Sequence, residues 1–266
     1  MNQNERRKFL IRELLQENLQ YRDLEIPSEE EEQKQLLRGL MNIRPPRKIS
    51  RKFLGVQDEY LQAETAAKGI TELDDLNPVL EGIYLWQGDI TTLRCDAIVN
   101  AANSGMTGCY VPNHRCIDNC IHSFSGIQLR IDCAEIMRLQ GHEEETGKAK
   151  ITKAYNLPCR YILHTVGPIV SGPLTEKHCA LLAECYRSCL KLAAEYQLES
   201  IAFCCISTGE FRFPNDKAAQ IAVSVVKDFM LQKTSVKKVI FNVFKDADKE
   251  IYRRLLQTYQ AAERGS

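Results

Sequence analysis

The amino-acid sequence predicts an α/β fold in which helices cover both faces of a sheet, preceded by a helical extension. Two observations carry this. From Pro78 onward, apolar runs of strand length alternate with segments of helical periodicity, the pattern of a sheet layered between helices. Before Pro78 the periodicity is helical. At 266 residues the chain is long for one compact domain and short for two large ones. We therefore divide it into a helical extension over 1–77 and an α/β domain over 78–266.

In the extension, Phe9, Leu10, Leu14 and Leu15 recur at helical spacing. Ile26-Pro27-Ser28 punctuates. Ser28 with Glu31 three residues later reads as a capping box, and the acidic run Glu29 to Glu32 suits a helix N-terminus. Leu36, Leu37, Leu40 and Met41 give this helix its apolar face, and Arg44-Pro45-Pro46 ends it. A third helix is expected over Ser50 to Ala67, with Phe53, Val56, Tyr60 and Leu61 inward. Nothing in this region suggests chemistry.

In the α/β domain, strands are expected at Ile83 to Trp86, Asp96 to Asn100, Tyr161 to Thr165, Ser200 to Ile206 and Val239 to Phe244. Helices are expected over Ile117 to Gln140, Lys177 to Tyr196, Asn215 to Gln232 and Asp246 to Ala262. In such sheets ligands bind outside the strand ends, on the connecting loops, and the polar signals of this chain fall there.

Composition narrows the function classes. Acidic and basic residues balance at 35 each, so the basic excess of a generic nucleic-acid surface is missing. No run is long enough to cross a membrane, and the polar N-terminus leads into no secretory h-region. The cysteine count, 11, is odd. Together these argue against a disulfide framework and for a reducing, cytoplasmic location. Most thiols are then small buried hydrophobes; Cys185, Cys189, Cys204 and Cys205 fit that description, and Cys120 and Cys133 are read the same way.

The loop from Gly108 to His122 carries the sharpest signal. Cys109, His114 and Cys116 lie within eight residues of one another, and two thiolates with an imidazole are a ligand set that zinc favours. Pro112 and Asn113 favour a turn that would fold them together. Three ligands leave a position open, as catalytic zinc sites do, whereas structural sites close with four. The ordinary alternative is a loop whose cysteines merely pack. Elsewhere, Asp89 after Gly88 is placed to accept from an exocyclic amine or to cap a turn. Asn103 is suited to a sugar hydroxyl or to a turn. Ser207-Thr208-Gly209 offers backbone donors that suit a phosphate, or a plain turn.

Taken together these loops resemble the macrodomain family, whose members bind ADP-ribose. The matching pieces are Gly88-Asp89-Ile90-Thr91, Asp96 to Ser104 (Asp-Ala-Ile-Val-Asn-Ala-Ala-Asn-Ser), Thr146-Gly147-Lys148-Ala149, Leu157-Pro158, His164-Thr165-Val166-Gly167-Pro168 and Ser207 to Pro214. They stand in the family's order and cover roughly residues 82–262. One departure points to a subfamily. Where ordinary macrodomains carry a glycine-rich loop, this chain has Cys109, His114 and Cys116. That resembles the zinc-dependent macrodomains of bacteria and fungi, which remove mono-ADP-ribose from proteins, and the helical extension resembles theirs too. A second departure is Arg212, which stands where many macrodomains have glycine and is expected to narrow the phosphate loop.

The resemblance implies a three-layer α/β/α domain with a mixed central sheet. It implies that Asp89 contacts adenine N6 with Ile90 in support, and that Phe244 packs on the adenine. Asn103 would hold the distal ribose, Asn119 would join the ADP-ribose contacts, and Ser207, Thr208, Gly209, Glu210 and Phe211 would wrap the diphosphate. Zn²⁺ on Cys109, His114 and Cys116 would sit beside the distal ribose. Asn103 and Asp118 are the catalytic candidates, Asp118 because some zinc-free macrodomain hydrolases have a catalytic aspartate there. Its ordinary alternative is a first-turn aspartate favoured by the helix dipole. His122 is read as structural. The implied activity is zinc-dependent hydrolysis of mono-ADP-ribose from a modified protein; the alternative is a non-catalytic reader of ADP-ribose with a structural zinc. The implied partners are a modified protein, such as a lipoyl-carrier protein, and an ADP-ribosylating sirtuin.

Overall fold

In a computed structural model that describes residues 1–264, with side chains through 261, the apolar runs become a twisted sheet and the periodic segments become helices. The last two residues of the α/β domain expected over 78–266, and the Ala262 side chain that closes its last helix, lie outside what is described. The elements are α1 (Gln3–Gln16), α2 (Glu30–Ile43), α3 (Arg51–Lys68), β1 (Thr71–Glu72), β2 (Pro78–Leu80), β3 (Ile83–Gln87), β4 (Leu93–Arg94), β5 (Ala97–Ala102), α4 (Ile117–Ser125), α5 (Ile127–Gln140), β6 (Ala149–Lys153), β7 (Tyr161–Val166), α6 (Glu176–Glu195), β8 (Ser200–Phe203), α7 (Asn215–Met230), β9 (Lys238–Val243) and α8 (Asp246–Arg264).

The main sheet has seven strands in the order β2-β3-β9-β8-β5-β7-β6. The five inner strands run parallel, and β2 and β6 pair antiparallel at the two edges. The sheet is therefore mixed, as expected. The inner strands are buried on both sides, Ile98, Ile162, Ile201 and Ile240 being wholly inaccessible, which is why they read as apolar runs rather than alternations. Helices α6, α7 and α8 pack side by side as one layer, and α4 and α5 form the other, against which the extension lies.

The extension has its own apolar cluster, with Leu10, Ile11, Leu37, Phe53 and Leu61 at its centre. Ile127 of α5 completes that cluster from the α/β side. The last α-helix of the extension ends at Lys68, and the short β1 that follows pairs with β4 of the α/β domain.

Three expectations need correction. The helix expected over Ile117 to Gln140 is two helices, broken at Gly126, whose φ is +103°. A Cβ there would meet Gln57 Nε2 of α3 at 2.7 Å, and Gln57 Oε1 instead accepts the Ile127 N–H at 3.0 Å. The break seats the extension, a tertiary reason that periodicity cannot carry. The capping box at Ser28 does not form: Glu29 is the N-cap and makes no side-chain cap bond. The carbonyls of Pro27 and Ser28 are held by Gln33 Nε2 instead. Finally, β8 ends at Phe203, not at Ile206, because the chain leaves the sheet there to form the loop described next.

Candidate active site

The loops after β3, β5, β8 and β9 leave the C-terminal ends of neighbouring parallel strands, so they gather at one edge of the sheet, where open α/β sheets hold ligands. After β3, Asp89 opens a 3-10 turn. Its Oδ1 accepts from the Thr91 N–H at 3.0 Å and from Thr91 Oγ1 at 2.6 Å. Its Oδ2 lies 3.5 Å from Lys68 Nζ of α3. One carboxylate oxygen thus caps the turn, and the other is met by a lysine of the extension rather than by backbone. Ile90 is buried, so its side chain supports the turn from below. Phe244, after β9, is 78% exposed, a ring left bare at the same edge.

After β8, Ser207 is buried in a left-handed conformation, φ +65°. Its carbonyl accepts from the Phe213 N–H at 2.9 Å, and the Phe211 carbonyl accepts from Val170 N–H at 2.9 Å. Thr208 Oγ1 is tied to the Cys205 carbonyl at 3.0 Å. Among the described residues no protein acceptor takes the N–H groups of Gly209, Glu210 and Phe211, which leaves three donors for an anion. Arg212 occupies φ +56°, a left-handed turn that glycine adopts at less cost.

After β5 comes the metal-type loop. Cys109 Sγ and His114 Nδ1 stand 3.7 Å apart. The ligand atoms of Cys109, His114 and Cys116 all lie within 4.8 Å of one another. Zinc–sulfur and zinc–nitrogen bonds of about 2.3 and 2.0–2.1 Å at a tetrahedral angle demand roughly 3.6 Å between such atoms, so the donors and their spacing suit zinc. Burial pushes the Cys116 thiol up to about 12, with Cys109 and Asp118 adding to it; a cation is what would draw it down to the thiolate. His114 Nε2 faces Glu210 Oε1 at 3.8 Å across the cleft.

Beneath this loop lies a buried polar floor. Asn100 donates through Nδ2 to Asp118 Oδ1 at 2.8 Å and faces His164 Nδ1 at 3.1 Å. Asn103 Nδ2 donates to the Gly108 carbonyl at 3.2 Å and to Asp118 Oδ2 at 3.3 Å. The two catalytic candidates therefore touch. Burial raises Asp118 to about 6, against the lowering pull of Asn100 and Arg130. His122 is buried, and burial, then His164 and Arg130, hold it neutral well below the usual histidine range. Its ring fills the space that Gly108 leaves, where a Cβ would come within 2.7 Å. His122, Cys133 and His164 form a second close trio, but His164 Nε2 is already engaged by Thr152 Oγ1 at 2.9 Å and Nδ1 by Asn100.

Asn119 departs from the expected role. It is wholly buried, its Nδ2 donates to the carbonyls of Cys109 and Val111, and its Oδ1 accepts from Arg38. Both ends of its amide serve the protein, so its side chain shapes the loop rather than facing the cleft.

A family model described as Macro domain matches residues 99–222. A protein of Treponema medium named protein-ADP-ribose hydrolase is 60% identical over 96% of this chain and all of its own length. The chain belongs to the macrodomain family. A protein-ADP-ribose hydrolase of Staphylococcus aureus (strain MSSA476) is 50% identical to this macrodomain over 93% of this chain and 94% of its own. Among solved structures, a mutant Oceanobacillus iheyensis macrodomain with ADPR is 35% identical, with a TM-score of 0.63, over 70% of this chain and 98% of its own.

Sequence reasoning missed the residues that set this macrodomain's loop in place: Arg38 and Asn42 from the extension, and Arg130 from α5. Their partners lie up to 89 residues away in sequence, so no local signal marks them. Asn100 was visible only as part of a motif, its side chain being aimed at Asp118 by the pleat of β5.

Proposed function

We propose that this macrodomain removes mono-ADP-ribose from modified proteins and that it does so with a zinc ion held by Cys109, His114 and Cys116. That the chain is a hydrolase of protein-linked ADP-ribose rests on relatives of that name at 50–60% identity over nearly its whole length. The observation that carries the zinc reading is the convergence of one imidazole and two thiols within 4.8 Å. When bound, zinc supplies Lewis-acid polarisation or a hydroxide at neutral pH.

The chain's own residues do the rest in this reading. Asp89 Oδ2 receives the adenine amine, and Phe244 offers its exposed face to the base. The N–H groups of Gly209 to Phe211 receive the diphosphate. Asn103 and Asp118, joined at 3.3 Å, orient the distal ribose beside the metal loop, where the link at its anomeric carbon is cut. The modified protein is taken to be a lipoyl-carrier type of substrate, modified by an ADP-ribosylating sirtuin. Eleven free cysteines suit a reducing cytosol, and among the described residues no helix is long and apolar enough to cross a membrane.

Single-turnover release of ADP-ribose from a mono-ADP-ribosylated protein tests the reading. Wild type is compared with chelator-treated protein and with Cys116→Ala, which leaves two ligands. Both should lose zinc and hydrolysis while keeping most ADP-ribose affinity, because the adenine and diphosphate contacts come from other loops. Loss of zinc with full hydrolytic rate would remove the metal from the mechanism. Outright unfolding of Cys116→Ala would make the site structural.

A further inference from the structure

The helical extension looks like packing in the sequence, yet its α2 reaches the metal-type loop. Arg38 Nη2 donates to the His114 carbonyl at 2.7 Å and to Asn119 Oδ1 at 2.9 Å. Asn119 in turn donates through Nδ2 to the Cys109 carbonyl at 3.3 Å and the Val111 carbonyl at 2.9 Å, and its backbone N–H meets Cys116 Sγ at 3.4 Å. Each of the three ligand residues is thus held by one member of the Arg38–Asn119 pair. One turn along α2, Asn42 Oδ1 accepts the N–H of Asn113 at 2.9 Å. Asn113 is one of the loop's left-handed residues, φ +56°.

The rest of the loop's backbone is held by side chains too: Arg130 donates to the Thr107 carbonyl at 2.7 Å and Asn103 to the Gly108 carbonyl at 3.2 Å. Residues 103–116 contain neither helix nor strand, so their backbone groups depend on side chains for partners. Arg130 locks the two units together. It donates to the Cys109 carbonyl at 3.4 Å, and to the carbonyls of Met41, Asn42 and Arg44 at the C-terminal end of α2 at 3.2, 2.6 and 2.7 Å. A cation at a helix C-terminus is itself favourable. The orientation of α2 is therefore transmitted to the three ligand residues through hydrogen bonds.

We propose that Arg38 and Asn42 are positioning residues for the hydrolytic reaction: α2 holds Cys109, His114 and Cys116 in register, which makes the extension part of the active site. The metal readout of this proposal rests on the zinc reading above; its loop readout does not.

The test uses the full chain as wild type, Arg38→Met, Arg38→Lys and Asn42→Ala. Arg6→Ala is the control, since it breaks an ion pair with Glu59 that joins α1 to α3 in the same extension. Four quantities are read: hydrogen exchange of residues 109–119 in metal-free protein, zinc affinity by competition with a chromophoric chelator, kcat and KM on a mono-ADP-ribosylated protein, and ADP-ribose affinity by calorimetry. Arg38→Met should speed loop exchange and lower zinc affinity and kcat by on the order of ten- to a hundredfold, the usual loss for an outer-shell partner. KM and ADP-ribose affinity should hold. Arg38→Lys should recover part of the loss, because all of Arg38's bonds to the loop leave from one terminal nitrogen. Asn42→Ala should show the same pattern more weakly, and Arg6→Ala should match wild type.

Wild-type loop exchange and kcat in Arg38→Met and Asn42→Ala overturn the proposal. So does a parallel fall of ADP-ribose affinity, thermal stability and kcat, which would mark a general folding role. If Arg38→Met does not fold, Asn42→Ala decides by the same criteria. If wild type takes up no zinc while loop exchange and kcat still respond to Arg38→Met, the zinc reading fails and the positioning role stands.

Discussion

The two carboxylate oxygens of Asp89 have different partners. Its Oδ1 holds the turn through Thr91, and its Oδ2 is met only by Lys68 at 3.5 Å. Both partners of that ion pair are more than a third exposed, so the pair itself contributes little to stability. In the proposed reading this oxygen, held only by that exposed pair, accepts from the ligand's amine. Asp89→Ala should weaken ADP-ribose binding by about ten- to a hundredfold, the value of a charge-assisted hydrogen bond of about 1.5–3 kcal/mol. Calorimetry reads this directly, and unchanged affinity would take Asp89 out of the adenine site.

Among elements, the loops after β7 and β8 interlock. A Cβ on Gly167 would lie 2.0 Å from Ser207 Oγ and 2.9 Å from Ile206 Cγ2, and Val170 N–H is tied to the Phe211 carbonyl. Gly167→Ala should therefore displace the stretch from Ser207 to Phe211. Overpacking of this kind costs about 1–3 kcal/mol of stability. Affinity for ADP-ribose should fall by more than that loss of fold explains, because the three unengaged N–H groups move with the loop. Urea denaturation and calorimetry on the same variant separate the two effects. A variant that is destabilised but binds normally would show that the diphosphate is held elsewhere.

At the scale of the molecule, the buried polar floor links stability to pH. Burial lowers His164 to about 3 from an ordinary 6.5, and His122 is lowered in the same direction. A histidine whose folded pKa is depressed takes its proton more readily in the unfolded chain. Its contribution to stability is complete above about pH 6.5 and is lost as pH falls toward 3, by about 1.4 kcal/mol per pH unit for each such group. Unfolding free energy should decline between pH 6.5 and 4, offset in part by Asp118, whose pKa is raised to about 6 and which acts in the opposite sense. In His164→Gln, which keeps an acceptor and a donor, the decline should be shallower by roughly that amount per unit. Equal slopes in the two proteins would mean that His164 is not neutral in the fold.

The sequence by itself determined the fold class, most strands, the three candidate metal ligands and the loops that surround the cleft. Those signals are local: apolar runs for buried parallel strands, and a short Cys/His spacing that needs only a turn to converge. Tertiary structure alone decided the break at Gly126, the short antiparallel edge strand β6 and the true use of Asn119. It also decided that α2 of the extension is hydrogen-bonded to the loop of Cys109, His114 and Cys116. Gly126 bends because Gln57 must cap Ile127, and Asn119 turns inward because Arg38 waits 81 residues away in sequence. Periodicity records which side chains are buried; it carries no record of which distant partner a polar side chain will meet once the layers close.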